Sequence, residues 1–195
     1  MDKRDIKKLD DFLLNLKQSG NKPKLLLHAC CGPCASYALE FLTPYFSLDV
    51  YFYNPSIMPP DEFYLRYENL KKLVDNFKGV GLILDDGGRE EYLEKVKGLE
   101  FEPERGPRCA VCILDRLEKT AKRAKGYDYF TTTLSVSPHK DADMINRLGA
   151  AAEALSNGAK FLPADFKKKG GYKRSIELSE KYNLYRQSYC GCRFI

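Results

Sequence analysis

Hydrophobic residues along the chain recur at two spacings, which predict helices and strands in alternation. Ile6, Leu9, Leu13 and Leu16 follow helical spacing, and Gly20 offers a helix stop. The short apolar run at 24–29 is typical of a buried strand, and residues 47–53 predict a second strand that ends at Asn54-Pro55. The rest of the pattern predicts strands at 81–84, 129–133 and 161–163, and helices over 33–41, 61–77, 89–97, 109–125, 141–156 and 172–182.

Strands that alternate with helices predict an α/β fold with a parallel sheet covered on both faces. We expect a single domain over 1–195, in which residues 1–20 form a helical extension and residues 183–195 a cysteine-bearing tail packed on the active site. Such sheets bind ligands beyond the carboxyl ends of their strands. The loop after the first strand and the helix that begins at 109 can therefore meet at one edge of the sheet.

Composition narrows the class of protein. The 195 residues are 44% hydrophobic and 30% charged, as in a soluble globular protein. Residues 1–11 alternate acids and bases without the apolar core of a signal peptide, and no apolar run approaches the ~20 residues of a bilayer span. We therefore expect a cytoplasmic protein, with no membrane partner, whose thiols stay reduced.

Cysteine is the residue type that carries candidate chemistry. The seven cysteines form three clusters, and an odd number argues against a complete disulfide framework. Clustered thiols in a reduced compartment usually bind a metal or pass electrons. The clusters are His28-Ala29-Cys30-Cys31-Gly32-Pro33-Cys34, Arg108-Cys109-Ala110-Val111-Cys112 and Cys190-Gly191-Cys192.

Three kinds of site fit the first two clusters. Cys31 and Cys34 have thioredoxin-like spacing at a helix start, which favours a thiol–disulfide oxidoreductase, but the chain has no tryptophan to precede them. Two Cys-x-x-Cys pairs could hold zinc in an RNA-binding module, although adjacent Cys30 and Cys31 would have to diverge to reach one ion. An iron–sulfur cluster is favoured, because adjacent cysteines reach different irons and Arg108 and helix N-termini stabilise an anionic cluster.

The third cluster has the spacing of a redox relay. A disulfide between Cys190 and Cys192 would be strained and easily reduced. Such a pair could pass two electrons. The alternative is that both thiols bind a metal.

A basic segment favours a nucleic-acid partner. Lys167, Lys168, Lys173 and Arg174 are interleaved with aromatic residues, of which Tyr172 is one. Cations suit phosphates and aromatic rings stack on bases. The alternative is a solvated helix face.

Together, these motifs resemble the cobalamin-independent epoxyqueuosine reductases, the iron–sulfur family that completes queuosine in tRNA. The ordered set spans roughly residues 24 to 192. Beside the three cysteine clusters it comprises Asn54-Pro55, Arg66, Thr132-Thr133-Leu134, Ser137-Pro138, Asp165-Phe166-Lys167-Lys168, Gly171-Tyr172-Lys173-Arg174-Ser175, Tyr185-Arg186-Gln187 and Tyr189.

The resemblance implies a fold of the adenine nucleotide alpha-hydrolase type, with a Rossmann-like sheet. The phosphate-binding loop of the related ATP-using tRNA thiolases is absent, so neither ATP nor cobalamin is expected. The implied ligands of a 4Fe–4S cluster are Cys30, Cys31, Cys109 and Cys112, and the implied redox-active pair is Cys190 and Cys192. A second, mononuclear iron is left open.

The implied activity is the two-electron removal of the epoxide oxygen of epoxyqueuosine at the tRNA wobble position. The implied partners are that tRNA, held by Lys167, Lys168, Tyr172, Lys173 and Arg174, and an electron donor of the ferredoxin or flavodoxin type.

A proton donor or accessory metal ligand is also needed. The candidates are Cys34, Asp86, Asp165 and His139, and His28 is expected to pack beside the first strand instead. Where the family often has Asp-Tyr-Asp, this chain has Asp86-Gly87-Gly88, so a role that needs both acids is in doubt.

Overall fold

A computed structural model describes residues 3–192, and for residues 3–7 it describes the backbone alone, so the side chain of Ile6 and both chain ends lie outside it. Twelve helices and strands follow one another in this part of the chain. They are α1 (Lys3–Ser19), β1 (Lys24–His28), α2 (Gly32–Leu42), β2 (Ser47–Tyr53), α3 (Pro60–Val74), β3 (Gly81–Asp85), α4 (Arg89–Lys95), α5 (Pro107–Arg123), β4 (Tyr129–Thr132), α6 (Ala142–Ala152), β5 (Lys160–Phe161) and α7 (Gly171–Lys181).

The five strands form one parallel sheet in the order β3-β2-β1-β4-β5. The predicted α/β fold with a Rossmann-like sheet is therefore confirmed. The strand order reverses at β1, which lies between β2 and β4. Open parallel sheets bind ligands at this position, beyond the carboxyl ends of the strands.

Alternate residues of the strands pack into two hydrophobic cores, one on each face of the sheet. Leu25 and Leu27 of β1 pack in the core under α1, α2 and α3, whereas Leu26 packs in the core under α5 and α6. Successive side chains of a strand point to opposite faces, so both faces of a parallel sheet can be covered. The sheet edge with the carboxyl ends is thereby held rigidly from both sides.

Three local differences from the sequence prediction have physical causes. The strand predicted over 129–133 ends at Thr132, and residues 133–136 form a 3-10 turn, because the Thr132 hydroxyl accepts a hydrogen bond from the Leu134 amide. Helix α6 ends at Ala152 and continues as a 3-10 turn at Glu153–Leu155. Strand β5 is only Lys160–Phe161, since the predicted third residue, Pro163, cannot donate to a ladder.

Within residues 3–192, no helix combines the length and the apolar character that crossing a bilayer requires.

Candidate metal and redox site

The first cysteine cluster lies where β1 ends and α2 begins. Cys31 is the N-cap of α2 with an extended backbone, and Pro33 stands in the first helical turn. The Asn54 side chain, just after β2, donates to the Ala29 carbonyl oxygen at 3.0 Å. The loops after two adjacent strands are therefore tied together at the carboxyl edge of the sheet.

Cys30, Cys31 and Cys34 form a compact group, which we call the thiol triad. Their three sulfur atoms lie within 4.8 Å of one another, and those of Cys30 and Cys31 are 3.8 Å apart. Cys31 is buried and the other two are half-buried. Three thiolates at this separation could hold one metal ion.

Proton sharing distinguishes the three thiols. Hydrogen bonds from Cys30 and Cys34 hold the pKa of Cys31 well below its usual range, against the effect of burial. Contacts with Cys30 and Cys31 raise the pKa of Cys34. The contact with Cys31 raises the pKa of Cys30. Cys31 is therefore the thiol of the triad that ionises first and the strongest candidate ligand.

The other four cysteines form a second group, the thiol tetrad, at the N-terminal end of α5. Cys109 and Cys112 lie in the first turns of this helix, and Cys190 and Cys192 come from the tail; all four line one small cavity. Cys109 and Cys112 are 5% and 7% exposed. The Cys109 sulfur accepts a hydrogen bond from the Arg105 amide at 3.2 Å, and the Cys112 sulfur lies 3.5 Å from the Ser56 hydroxyl.

Cys190 is the tail cysteine whose thiol ionises more easily. Its hydrogen bond from Cys192, with the nearby Lys140 and Arg116 cations, lowers its pKa to about 5. The Lys140 ammonium lies 3.5 Å from the Cys190 sulfur. Donating to Cys190 raises the pKa of Cys192. Near neutral pH the pair therefore holds one thiolate and one thiol.

Arg116 connects the triad and the tetrad. It is 3% exposed, and its guanidinium donates to the Ser56 hydroxyl at 2.6 Å. None of the described carboxylates forms an ion pair with it. Burial lowers the pKa of its guanidinium, but the negative charges of Cys112, Cys30 and Cys190 hold that pKa above its usual value. A buried cation is costly without an anion. Cysteines from all three clusters thus surround one guanidinium, so the predicted convergence at one sheet edge is confirmed.

A cavity of about 380 Å³ opens beside the thiols and has the size of a small-ligand site. Its walls combine thiols, cations and aromatic rings, a lining that suits an anionic ligand with an aromatic base. The thiol, charged, amide and ring-bearing members are Cys30, Cys34, Arg66, Glu104, Arg116, His139, Lys140, Tyr172, Arg186, Gln187, Tyr189 and Cys190, among which the cations outnumber the single carboxylate.

A larger cavity of about 600 Å³ lies between α1 and the β5 edge. Leu9, Phe12, Tyr129 and Phe161 are among its lining residues, and none of the residues that line it is a cysteine. Size alone would favour this cavity. The chemistry of the side chains favours the smaller one, and we assign the functional site there.

The predicted proton donors are placed very differently. His139 and Cys34 line the cavity, and the His139 ring lies 3.3 Å from the Arg105 guanidinium. Asp165 is almost buried and pairs with Lys167 at 3.0 Å. Asp86 is exposed after β3 and does not line the cavity. Only two of the four candidates therefore face the space where a substrate would bind.

His28 is buried beside the first strand, as predicted. Its two ring nitrogens contact the Thr132 hydroxyl at 2.8 Å and the Tyr53 carbonyl oxygen at 3.0 Å. Burial, and then the Arg116 charge, lower its pKa to about 4. It is therefore neutral and fully hydrogen-bonded, which is a structural role.

The five predicted tRNA contacts also differ in availability. Tyr172 lines the cavity, and Lys168 and Lys173 are exposed. Lys167 is held by Asp165 and two backbone carbonyl oxygens, and Arg174 forms a bidentate pair with Glu40 and a further pair with Glu177. Lys167 and Arg174 could bind phosphate only by exchanging these partners.

The sequence analysis missed four polar residues around the thiols. Arg116 could have been found, because it follows Cys112 by one helical turn. No pattern in the sequence pointed to Lys140. The Tyr92 ring is completely buried in the wall of the tetrad cavity, and Glu62 pairs with Arg66. Their roles depend on tertiary contacts that no local pattern records.

Comparison with known proteins supplies a family. A family model described as "Epoxyqueuosine reductase QueH" matches residues 25–195, a segment that begins after α1 and contains all seven cysteines. Proteins of that name from Streptococcus pyogenes serotype M1 and Staphylococcus epidermidis are 44% and 42% identical; the matches cover 88% and 96% of this chain, and 69% and 82% of the relatives. One from Thermotoga maritima is 35% identical, with 87% of this chain and 88% of the relative covered.

Proposed function

The chain belongs to the epoxyqueuosine reductase QueH family, and on that premise we propose that it reduces epoxyqueuosine in tRNA to queuosine. The observation that carries the proposal is the meeting of seven cysteines from three distant segments beside a cationic and aromatic cavity. Thiols and the metals they bind are the groups that hold and pass electrons in proteins.

The donor set fits an iron–sulfur group. All ligand atoms in the triad and tetrad are sulfur, which binds iron in clusters, and Arg116, Arg66 and Lys140 surround them with positive charge. In our proposal Cys30, Cys31, Cys109 and Cys112 hold a 4Fe–4S cluster. When bound, such a cluster supplies low-potential electrons one at a time. Cys34, the member of the triad outside this ligand set, is the candidate ligand of a second, mononuclear iron.

The tail dithiol balances the reaction. Removing the epoxide oxygen breaks two C–O bonds, forms one carbon–carbon double bond and consumes two electrons and two protons, with water as the second product. Oxidation of the Cys190 thiolate and the Cys192 thiol to a disulfide releases two electrons and one proton, and the cavity donor named below supplies the second proton. Two electrons from a donor of the ferredoxin or flavodoxin type would then restore the dithiol.

The chain's own residues prepare these steps. Lys140 and Cys192 keep Cys190 ionised by lowering its pKa to about 5. Since Cys34 and His139 are the predicted donors that line the cavity, the proposal assigns the proton for the leaving oxygen to one of them. Tyr172 and Tyr189 in the cavity wall offer rings for the extruded base, while exposed Lys168 and Lys173 offer contacts for phosphates.

The direct test is anaerobic turnover. Iron-loaded, reduced protein is incubated with tRNA that carries epoxyqueuosine, and the digested nucleosides are analysed by mass spectrometry. The expected product has lost one oxygen atom. Tight binding of this tRNA without any such product would overturn the proposal, and binding that does not weaken with salt would overturn the phosphate contacts.

A further inference from the structure

We infer that Arg66, oriented by Glu62, is the positioning residue that holds the tail dithiol against the thiol triad. The inference rests on the proposed function only in giving Cys190 and Cys192 an electron-carrying role. The contacts themselves are independent of it. They come from α3, a helix that carries none of the seven cysteines.

The Arg66 guanidinium binds two successive carbonyl groups of the tail. One terminal nitrogen donates to the Cys190 carbonyl oxygen at 2.9 Å, and the other donates to that of Tyr189 at 3.2 Å. The guanidinium carbon also lies 5.3 Å from the centre of the Tyr189 ring. The rigid fork of an arginine can make both hydrogen bonds at once, which a lysine cannot.

Glu62 fixes the orientation of that fork. Its carboxylate accepts from the third guanidinium nitrogen of Arg66 at 2.6 Å, one helical turn away. The two side chains are 7% and 2% exposed, so solvent screens this pair weakly. The Tyr185 hydroxyl, also from the tail, donates to the same carboxylate at 3.2 Å. The buried pair therefore forms three hydrogen bonds with the tail, two through Arg66 and one through Glu62.

Gly191 lets the tail approach this closely. Its φ of +95° is a left-handed conformation that favours glycine, and a Cβ atom there would lie 3.0 Å from both terminal nitrogens of Arg66. The Gly191 carbonyl oxygen accepts from the Met58 amide at 2.9 Å. Three successive carbonyl groups, of Tyr189, Cys190 and Gly191, are thus each bound by the core of the domain.

The same guanidinium faces the triad. Arg66 lines the cavity together with Cys30 and Cys190. Burial lowers the pKa of Arg66, but Glu62 and the negative charges of Cys30 and Cys31 hold it above its usual value. The dithiol therefore cannot move away from the triad without breaking the Arg66 contacts.

The test measures how accessible the tail thiols are. Wild-type, Arg66→Gln, Arg66→Lys and Glu62→Gln proteins, all full-length and purified without oxygen, are treated with iodoacetamide, and each cysteine is followed by peptide mass spectrometry. We expect Cys190 and Cys192 in Arg66→Gln to react about tenfold faster or more, since two hydrogen bonds from a charged group are lost. Arg66→Lys should lie between, and Cys34 should react at the wild-type rate.

Two control variants separate positioning from general stability. Arg89→Gln removes another arginine that donates to a backbone carbonyl, that of Pro55 at 2.9 Å, and should leave the tail thiols unchanged. Gly126→Ala introduces the same left-handed strain as Gly191→Ala, but no atom lies within 4 Å of its Cβ. Gly191→Ala and Gly126→Ala should both lower the melting temperature. Only Gly191→Ala should increase the rate at which Cys190 and Cys192 react with iodoacetamide.

Wild-type rates at Cys190 and Cys192 in a folded Arg66→Gln protein would overturn the inference, as would equal acceleration at all seven cysteines. Failure of the wild-type protein to reduce epoxyqueuosine would overturn the proposed function instead. The alkylation rates are measured without turnover, so the two failures are distinguishable.

Discussion

The triad and the tetrad are both groups of cysteines at one sheet edge, yet they are built in different ways. The triad lies on five consecutive residues, and its geometry follows from the end of β1 and the first turn of α2. The tetrad joins α5 to a tail that begins after α7, and contacts from Arg66, Met58 and Lys140 hold that tail in place. A local segment thus brings three thiols together alone, whereas the position of the proposed redox pair depends on the surrounding fold.

The largest expected effect is the loss of iron when a proposed ligand of the tetrad is removed. Cys109→Ser should lose its iron and all turnover, because this buried thiol lies in the first turn of α5 and is one of four proposed ligands. Iron analysis and the visible spectrum of anaerobically purified protein measure this. Full retention of iron would show that Cys109 is not a ligand.

The tail thiols should behave in the opposite way. A protein with both Cys190→Ser and Cys192→Ser should retain iron but show no turnover, since these residues are proposed to carry electrons and not to bind the cluster. The same iron analysis, with nucleoside mass spectrometry for turnover, compares it with Cys109→Ser. Loss of iron would place the tail thiols among the ligands and remove the distinction between relay and ligand.

A smaller effect is expected at the residue that both groups share. Arg116→Met removes the buried cation between Cys30, Cys112 and Cys190, so the more negative, reduced state becomes less stable. We expect the midpoint potential of the bound iron to fall by about 60 mV or more, a tenfold change in a one-electron equilibrium constant.

Arg116→Lys is the matched control for this change. It retains the charge and should retain most of the potential, although it loses the guanidinium contact with Ser56. A redox titration of the visible absorbance makes the comparison. An unchanged potential in Arg116→Met would mean that Arg116 only fills space.

The contrast between local and tertiary contacts also explains which parts of the fold the sequence could predict. Strand β2 is predicted at 47–53 and observed as Ser47–Tyr53, because a short segment rich in apolar and aromatic residues that ends at Asn54-Pro55 has few alternatives in an α/β chain. Helix α3 ends at Val74, three residues before the predicted end, because the hydrophobic pattern does not show where helical hydrogen bonds stop.

The site was predictable as far as topology determines it. Parallel strands place the loop after β1 and the start of α5 at one edge, so the meeting of Cys30 with Cys112 could be expected. The partners of the charged residues could not be predicted in this way. Arg174 was predicted to contact phosphate from its basic neighbourhood, but it pairs with Glu40 of α2, more than a hundred positions earlier in the chain.

The smallest predicted effect concerns a long-range hydrogen bond that supports the loop of the triad. Asn54 is completely buried, and its side chain ties the loop after β2 to the Ala29 carbonyl oxygen. Asn54→Ala should lower the free energy of unfolding by about 1–2 kcal/mol in urea denaturation, because that carbonyl loses its partner. Cys34 should also react faster with iodoacetamide, since the loop before α2 becomes less constrained.

Thr43→Ala is the control. It removes a hydroxyl that donates to the Leu39 carbonyl oxygen at 2.9 Å, at the far end of α2, and should leave the reaction rate of Cys34 unchanged. If Cys34 reacts at the wild-type rate in both variants, the triad does not depend on the Asn54 hydrogen bond, and its contrast with the tetrad becomes sharper.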